Sequence, residues 1–128
     1  MNFLFLFGRI IYGSYFVIMG LNHIGSMREG FTGYAASKGV PAPKLAVVGS
    51  GILLLVGGLS ILTGFMPIVG IIALVVFLVP VSFQMHAFWK VDEPQAKMGE
   101  MTNFMKNMAL LGAALTFLAI QTPWILSL

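Results

Sequence analysis

The sequence of 128 residues contains no cysteine and few charged residues. Without a thiol the chain cannot form a disulfide bond, use a catalytic cysteine or bind a metal through thiolates. This excludes the thiol-oxidising four-helix enzymes of membranes. Only 9% of the residues are charged and 59% are hydrophobic, whereas about a quarter of the residues of a typical soluble domain are charged. The composition therefore indicates a membrane protein.

Four long apolar runs occupy most of the chain, at about 3–21, 45–62, 68–85 and 104–120. A helix needs about 20 largely apolar residues to cross the hydrocarbon core of a bilayer. Inside lipid, backbone N–H and C=O groups must pair within the segment, which favours helices. The sequence predicts an all-α fold in which residues 1–128 form one domain, a four-helix transmembrane bundle.

The charged residues gather in the first and third connections between these runs. The second connection, residues 63–67, has no charge, and Lys106 lies one turn inside the fourth run. Basic residues favour cytoplasmic loops, so we expect loops 22–44 and 86–103 in the cytoplasm and both termini outside. The net charge of +3 comes from loop lysines that face a membrane surface, and it does not indicate a nucleic-acid partner.

Both polar connections carry signals for short interfacial helices. Ser26 and Glu29 have the spacing of a capping box, and Gly39 is typical of a helix end. The apolar side chains between them fall on one helix face, which predicts a short amphipathic helix at the interface. It either covers the ends of the bundle helices or acts as a mobile gate. Asp92 before Glu93 predicts a second short helix in the third connection.

Small residues form a stripe along the second run. Ser50, Gly57 and Gly64 recur every seven residues, and Gly51 and Gly58 lie beside them. Small side chains let helix backbones approach one another in lipid, where no hydrophobic force drives helices together. The stripe predicts helix–helix contacts.

The polar end contains both histidines. His23 ends the first run and His86 ends the third, and because these helices run in the same direction both imidazoles reach one level of the membrane. Asn103 and Asn107, four residues apart, share one face of the fourth helix. The residues that we predict at this mouth as a possible ligand site are Asn22, His23, His86, Trp89, Asn103 and Asn107.

Several interpretations of this mouth remain open. The imidazoles could bond the last carbonyls of their helices, which is a structural role. The mouth could instead bind a small molecule or the head group of a quinone. Haem is disfavoured because the two histidines lie at the rim. No metal site is predicted, since His23, His86 and a nearby Asp92 or Glu93 lack a ligand-spacing signature.

Arg9 is the one charged residue distant from this end. It lies about 20 Å along the helix from His23, and no apolar run contains a carboxylate that could pair with it. One interpretation is that its side chain snorkels to the head groups and contacts anionic lipid, with Tyr12 beside it. The other is that it orients an internal ligand together with Tyr12 and Gln121.

The order and spacing of these residues resemble the DoxX family of small four-helix membrane proteins. The resemblance rests on Arg9, Gly20-Leu21-Asn22-His23, Phe31 with Tyr34, Gly39-Val40-Pro41-Ala42-Pro43, Gly57-Gly58-Leu59, Thr63-Gly64, His86-Ala87-Phe88-Trp89, and Asn103-Phe104 with Lys106-Asn107. The family pattern has a Glu three residues before the Gly-Gly pair, where this chain has Leu54. That departure argues against an ion pair between Arg9 and a glutamate.

The resemblance implies a multi-pass protein of a prokaryotic cytoplasmic membrane. It further implies an accessory, quinone- or lipid-contacting subunit of a membrane oxidoreductase or respiratory assembly. Two alternatives are a small membrane enzyme or transporter that uses the histidine-lined mouth, and a structural assembly factor. No independent catalytic activity is expected, because the chain has no cysteine, haem motif or nucleotide-binding loop. The expected partners are the lipid bilayer and redox-complex subunits, and a homo-oligomer is equally open.

Overall fold

Five α-helices account for most of the chain in the computed structural model, which describes residues 2–128. They are α1 (Asn2–Ile24), α2 (Arg28–Ser37), α3 (Pro43–Thr63), α4 (Pro67–Met85) and α5 (Pro94–Thr116), with 3-10 turns at Phe88–Lys90 and Phe117–Ala119. None of the described residues forms a strand. The predicted all-α class is confirmed.

Three of the helices, α1, α3 and α4, are long and apolar enough to cross a membrane. They correspond to the first three predicted runs. The fourth prediction, a helix at 104–120, is wrong in its bounds, because α5 begins at Pro94 and ends at Thr116. The side chain of Glu93 caps α5, accepting hydrogen bonds from the backbone N–H groups of Gln95 and Ala96. The short helix predicted in the third connection is therefore the start of α5.

The first connection contains the predicted short helix, α2, but without the predicted cap. Met27 is the residue that precedes its first turn, and no side chain caps it, so the Ser26–Glu29 capping box does not form. After α2 the chain turns at Gly39, whose φ of 76° is a left-handed conformation that glycine adopts without strain. This turn leads into Pro43, the first residue of α3.

Antiparallel α1 and α3 pack backbone against backbone. A Cβ atom on Gly13 would lie 2.9 Å from the carbonyl oxygen of Gly58, and one on Gly20 would lie 2.9 Å from that of Gly51. Real Cβ atoms do not come this close to backbone atoms. The small-residue stripe predicted for the second run is thus confirmed as a contact surface at Gly51 and Gly58.

The α3–α4 hairpin is closed at its uncharged turn. Gly57 packs against Leu74, and Gly70 packs against the side chain of Ser60. The hydroxyl of Ser60 donates to the carbonyls of Phe65 and Met66, at 2.6 and 2.9 Å. Helix α5 then packs against α4, so that the helices α1, α3, α4 and α5 contact one another in this order.

Replacing Gly13 by alanine tests the α1–α3 contact. The new methyl group would press on the α3 backbone, so we expect Gly13→Ala to lower the free energy of unfolding by about 1–3 kcal/mol. Gly8→Ala, on the same helix, is the matched control because no atom of another helix lies within 4 Å of its Cβ position among residues 2–128. Thermal unfolding in detergent compares the two variants. Equal unfolding temperatures would contradict the proposed close contact.

Candidate functional site

A cavity of about 410 Å³ lies inside the polar half of the helix assembly. This volume is within the range of about 300–1,000 Å³ that is usual for small-molecule sites. Residues of all five helices line it, and most of them are apolar. The polar residues of its wall are Tyr15, His23, Tyr34, Ser50, Gln84, His86, Asn103, Lys106 and Asn107.

His23 is fixed by the end of its own helix. Its Nδ1 lies 2.7 Å from the carbonyl oxygen of Met19, and because a carbonyl only accepts, Nδ1 is the protonated nitrogen. The ring also packs against Phe31, with ring centroids 4.5 Å apart. The ring therefore bonds a carbonyl of its own helix, which is a structural role, although Met19 lies before the last four residues of α1. In the neutral ring, Nε2 remains a hydrogen-bond acceptor.

His86 is held by a carboxylate of α5. Its Nδ1 lies 2.8 Å from Oε2 of Glu100. The hydroxyl of Tyr34, on α2, donates to Oε1 of the same carboxylate, and the Nζ of Lys38 lies 3.9 Å from that oxygen. Gln84 on α4 donates to the backbone carbonyl of Lys38 at 2.9 Å. These contacts join α2, α4 and α5 at the mouth of the cavity.

The surroundings of Glu100 favour its charged form. Burial alone raises the pKa of a carboxyl group, but the hydrogen bonds from Tyr34 and His86 and the charges of His86 and Lys38 outweigh burial, so the pKa of Glu100 is lowered. Burial, and then the hydrogen bond to Glu100, raise the pKa of Tyr34. At neutral pH the pair is therefore a carboxylate and a protonated phenol, and the phenol is the donor.

Asn107 is a largely buried residue whose side-chain amide faces the cavity. Only 6% of its surface is exposed, and the side-chain hydrogen bonds among residues 2–128 do not include its amide. The fully buried side-chain nitrogen or oxygen without a partner in this part of the chain is Nε of Arg9, so the amide of Asn107 keeps access to the cavity. Asn103 lies one turn away on the same face of α5 and also lines the cavity. The two amides offer donors and acceptors to a bound molecule.

Two of the residues predicted at the mouth lie elsewhere. Asn22 does not line the cavity. Trp89 packs in an aromatic cluster with Phe83, Phe88 and Phe104, with ring centroids 5.2–6.0 Å apart. The structure thus brings together His23, His86, Asn103 and Asn107 but places these two outside their group.

Sequence reasoning missed Glu100 as a site residue. It was assigned to a connection because the fourth helix was expected to begin at 104. Once α5 begins at Pro94, Glu100 lies three residues before Asn103 and seven before Asn107, which places all three on one helix face. This spacing could have identified Glu100 as a site residue from the sequence.

At the opposite end, Arg9 points into the protein rather than towards the head groups. Its side chain is only 1% exposed. Nη1 donates to the carbonyl of Ile125 at 2.8 Å and Nη2 to that of Leu126 at 3.1 Å, and the guanidinium lies 5.8 Å from the ring of Trp124. The expectation of snorkelling to lipid is therefore wrong, because the C-terminal segment folds back over this residue.

Tyr12 also has an intramolecular role. Its hydroxyl donates to the backbone carbonyl of Leu110, which joins α1 to α5. Neither Tyr12 nor Gln121 forms a hydrogen bond with Arg9 among residues 2–128, and a role of the three in orienting an internal ligand stays a prediction. Within residues 2–128, no group of three or more His, Asp and Glu residues lies close enough to hold a metal ion.

The comparison with protein families decides the relationship suggested by the motifs. The family model DoxX matches residues 4–87, about two thirds of the chain. The chain belongs to the DoxX family. No curated protein and no solved structure matches it. Since the match ends at Ala87, the α5 residues of the DoxX cavity lie outside the matched segment. Leu54, where the family pattern has a glutamate, is buried in the cavity wall.

The lowered pKa of Glu100 predicts how stability depends on pH. Because the folded-state pKa lies below the ordinary value of 4.5, the stabilisation by this carboxylate is fully present above pH 4.5 and is lost as the pH falls below it. The unfolding temperature of Glu100→Gln should therefore fall less than that of the wild type when the pH is lowered below 4.5. Glu29→Gln, at an exposed position, is the control. Identical pH profiles for wild type and Glu100→Gln would contradict the assignment.

The Arg9 contacts predict the effect of a conservative change. Lysine cannot reproduce the two-pronged hydrogen bonding of a guanidinium, so Arg9→Lys should lower the free energy of unfolding by about 1–3 kcal/mol. It should also expose Trp124, measured by acrylamide quenching in a Trp89→Phe background. Arg28→Lys, the same substitution at an exposed residue of α2, is the matched control. Unchanged quenching in Arg9→Lys would show that Arg9 does not hold the C-terminal segment.

Proposed function

We propose that this DoxX protein binds the head group of a membrane-dissolved quinone in the cavity. In this role it serves as an accessory subunit of a membrane oxidoreductase or respiratory assembly. The observation that carries the proposal is the amide of Asn107, which faces the cavity and forms no hydrogen bond among residues 2–128. A ligand with carbonyl oxygens would accept hydrogen bonds from this amide, and each bond of this kind contributes about 0.5–1.5 kcal/mol.

The wall offers groups suited to both forms of a quinone. The N–H groups of Asn107 and Asn103 can donate to the carbonyl oxygens of the oxidised form. The free Nε2 of neutral His23 can accept from a hydroxyl of the reduced form, because its Nδ1 already donates to Met19. Apolar side chains fill the rest of the wall and suit a ring. In this proposal, the electrons are exchanged with a partner subunit.

The arrangement in the membrane is part of the proposal. We place α1, α3, α4 and the apolar part of α5 across the bilayer as one four-helix domain, with α2 at the interface. We place the end that bears His23 and His86 in the cytoplasm and both termini outside. The support is that six of the seven basic residues lie at or near that end.

The pairing of His86 with Glu100 favours a second function, that of a small membrane enzyme or transporter. A histidine whose Nδ1 is held by a carboxylate is oriented for proton transfer through Nε2. In that case His86→Ala would abolish turnover or transport while the protein stays folded. As an accessory quinone-binding subunit, the same variant would lose only affinity.

Asn107→Leu tests the proposed quinone site. Loss of the amide should weaken binding of a benzoquinone to the purified protein about fivefold to a hundredfold, since a hydrogen bond to a buried group accounts for about 1–3 kcal/mol. The unfolding temperature of the ligand-free protein should not fall, because the amide forms no hydrogen bond within residues 2–128. Binding is measured by titration in detergent, and unfolding by a thermal scan.

Asn22→Leu is the matched control, because Asn22 lies near the same level but does not line the cavity. It should bind the quinone as the wild type does. A wild-type protein that binds no quinone, and whose organic extract contains none, would refute the proposed function. An unfolding temperature that falls in Asn107→Leu would instead show that Asn107 has a structural role.

A further inference from the structure

One face of α3 contacts different parts of the protein at its two ends. This face consists of residues spaced alternately by four and three positions, which are Ala46, Ser50, Leu53, Gly57 and Ser60. At the end near the uncharged turn, Gly57 and Ser60 contact α4. At the other end, Ala46, Ser50 and Leu53 line the cavity. Because the face that contacts α4 at one end lines a cavity at the other, the cavity separates α3 from α4 at this level. Beyond it, Val47 of α3 and Met85 of α4 meet Ala35 of α2 in one buried apolar cluster, which closes the polar end.

One side of α4 is exposed where it lines the cavity. Val76, Pro80 and Gln84 are spaced by four residues, all three belong to the cavity wall, and all three are exposed. Val76 in particular is 51% exposed. A wall residue that is also half exposed lies at an opening of the wall. Pro80 has no N–H to bond the carbonyl of Val76, which weakens the helix at this level.

The gap between α3 and α4 has an apolar rim. Ala46 and Leu53 on one side and Val76 and Pro80 on the other carry no polar side-chain atom. The polar residues of the rim are Ser50, whose hydroxyl donates to the carbonyl of Ala46, and Gln84, towards the polar end. An uncharged opening of this kind is suited to a hydrocarbon chain and offers nothing to a hydrated ion or a sugar. The polar groups proposed to contact the head group, His23, Asn103 and Asn107, belong to α1 and α5 and not to the two helices that border the gap.

Two other sides of the cavity are closed by specific contacts. Between α1 and α5, Tyr12 donates to the carbonyl of Leu110, and the Nζ of Lys106 lies 6.0 Å from the ring centre of Tyr15. At the aqueous end, the bond from Tyr34 to Glu100 holds α2 over the mouth. No side-chain hydrogen bond among residues 2–128 joins α3 to α4 beside the cavity.

From this geometry we infer that the cavity opens laterally into the bilayer between α3 and α4. The ligand enters head first through this gap, and its hydrocarbon tail stays in it. The inference rests on the proposed function and narrows the ligand to a molecule with a long apolar tail. A water-soluble quinone analogue would gain nothing from the gap.

Tryptophan substitutions in the gap test this route. Leu53→Trp and Val76→Trp fill it from either side. Ile52→Trp is the matched control, because Ile52 is the neighbouring residue of α3, is 53% exposed and does not line the cavity. The probes are a dimethoxy-methyl-benzoquinone with a decyl tail and the same head group without the tail. We expect the gap variants to bind the decyl probe at least tenfold more weakly, while the control variant and the tail-less probe change less than twofold.

The outcomes separate the two proposals. If both gap variants bind the decyl probe as the wild type does, or lose both probes equally, the lateral route is wrong. If the wild type binds neither probe, the proposed function itself fails. A decyl probe with a diazirine at the tail end, photolysed on the unmodified protein, gives an independent result. Labels on Leu53, Val76 or Pro80 support the route, and labels on Tyr15 or Lys106 overturn it.

Discussion

The backbone contact between α1 and α3 determines where the other helices can lie. In lipid, apolar side chains gain nothing by leaving the solvent, so helices associate through close packing. The glycine pairs Gly13–Gly58 and Gly20–Gly51 supply that packing on one face of each helix. Helix α4 then joins α3 through Gly57 and Leu74, and α5 joins α4. Helices α1 and α5 are left as neighbours without a close backbone contact, and their side chains bound the cavity.

The two ends of the assembly stabilise charge in different ways. At the polar end, the negative charge of Glu100 is stabilised by the side chains of Lys38 and His86 and by a hydrogen bond from the hydroxyl of Tyr34. At the other end, Arg9 has no ion-pair partner among residues 2–128. Two backbone carbonyls receive its hydrogen bonds, and the carboxyl end of α3 lies beside it at Gly64, where the helix dipole favours a cation. The charge at this end is therefore stabilised by backbone dipoles and by the aromatic rings of Phe5 and Trp124.

The features that could be predicted from the sequence are those that depend on a regular interval between residues. The glycine stripe of α3, the helix α2 and the common level of His23 and His86 all follow from residue intervals, and the structure places them accordingly. The start of α5 was not predicted, because its first turns are charged and do not continue the apolar run, and Glu100 was missed for the same reason. The partners of Arg9 had no signal either, since a backbone carbonyl is present at every residue and only the fold selects which ones it meets.

The Arg9 contacts have a consequence for the C-terminal segment. The guanidinium binds the main-chain oxygens of residues 125 and 126, and main-chain oxygens are the same whatever the side chain. The side chains of these two residues do not take part in the hydrogen bonds, whereas the number of residues between Thr116 and Ile125 decides which carbonyls reach Arg9. A single insertion or deletion in that stretch would present Arg9 with different carbonyls, or with none. For these two hydrogen bonds the constraint is on distance along the chain and not on residue type.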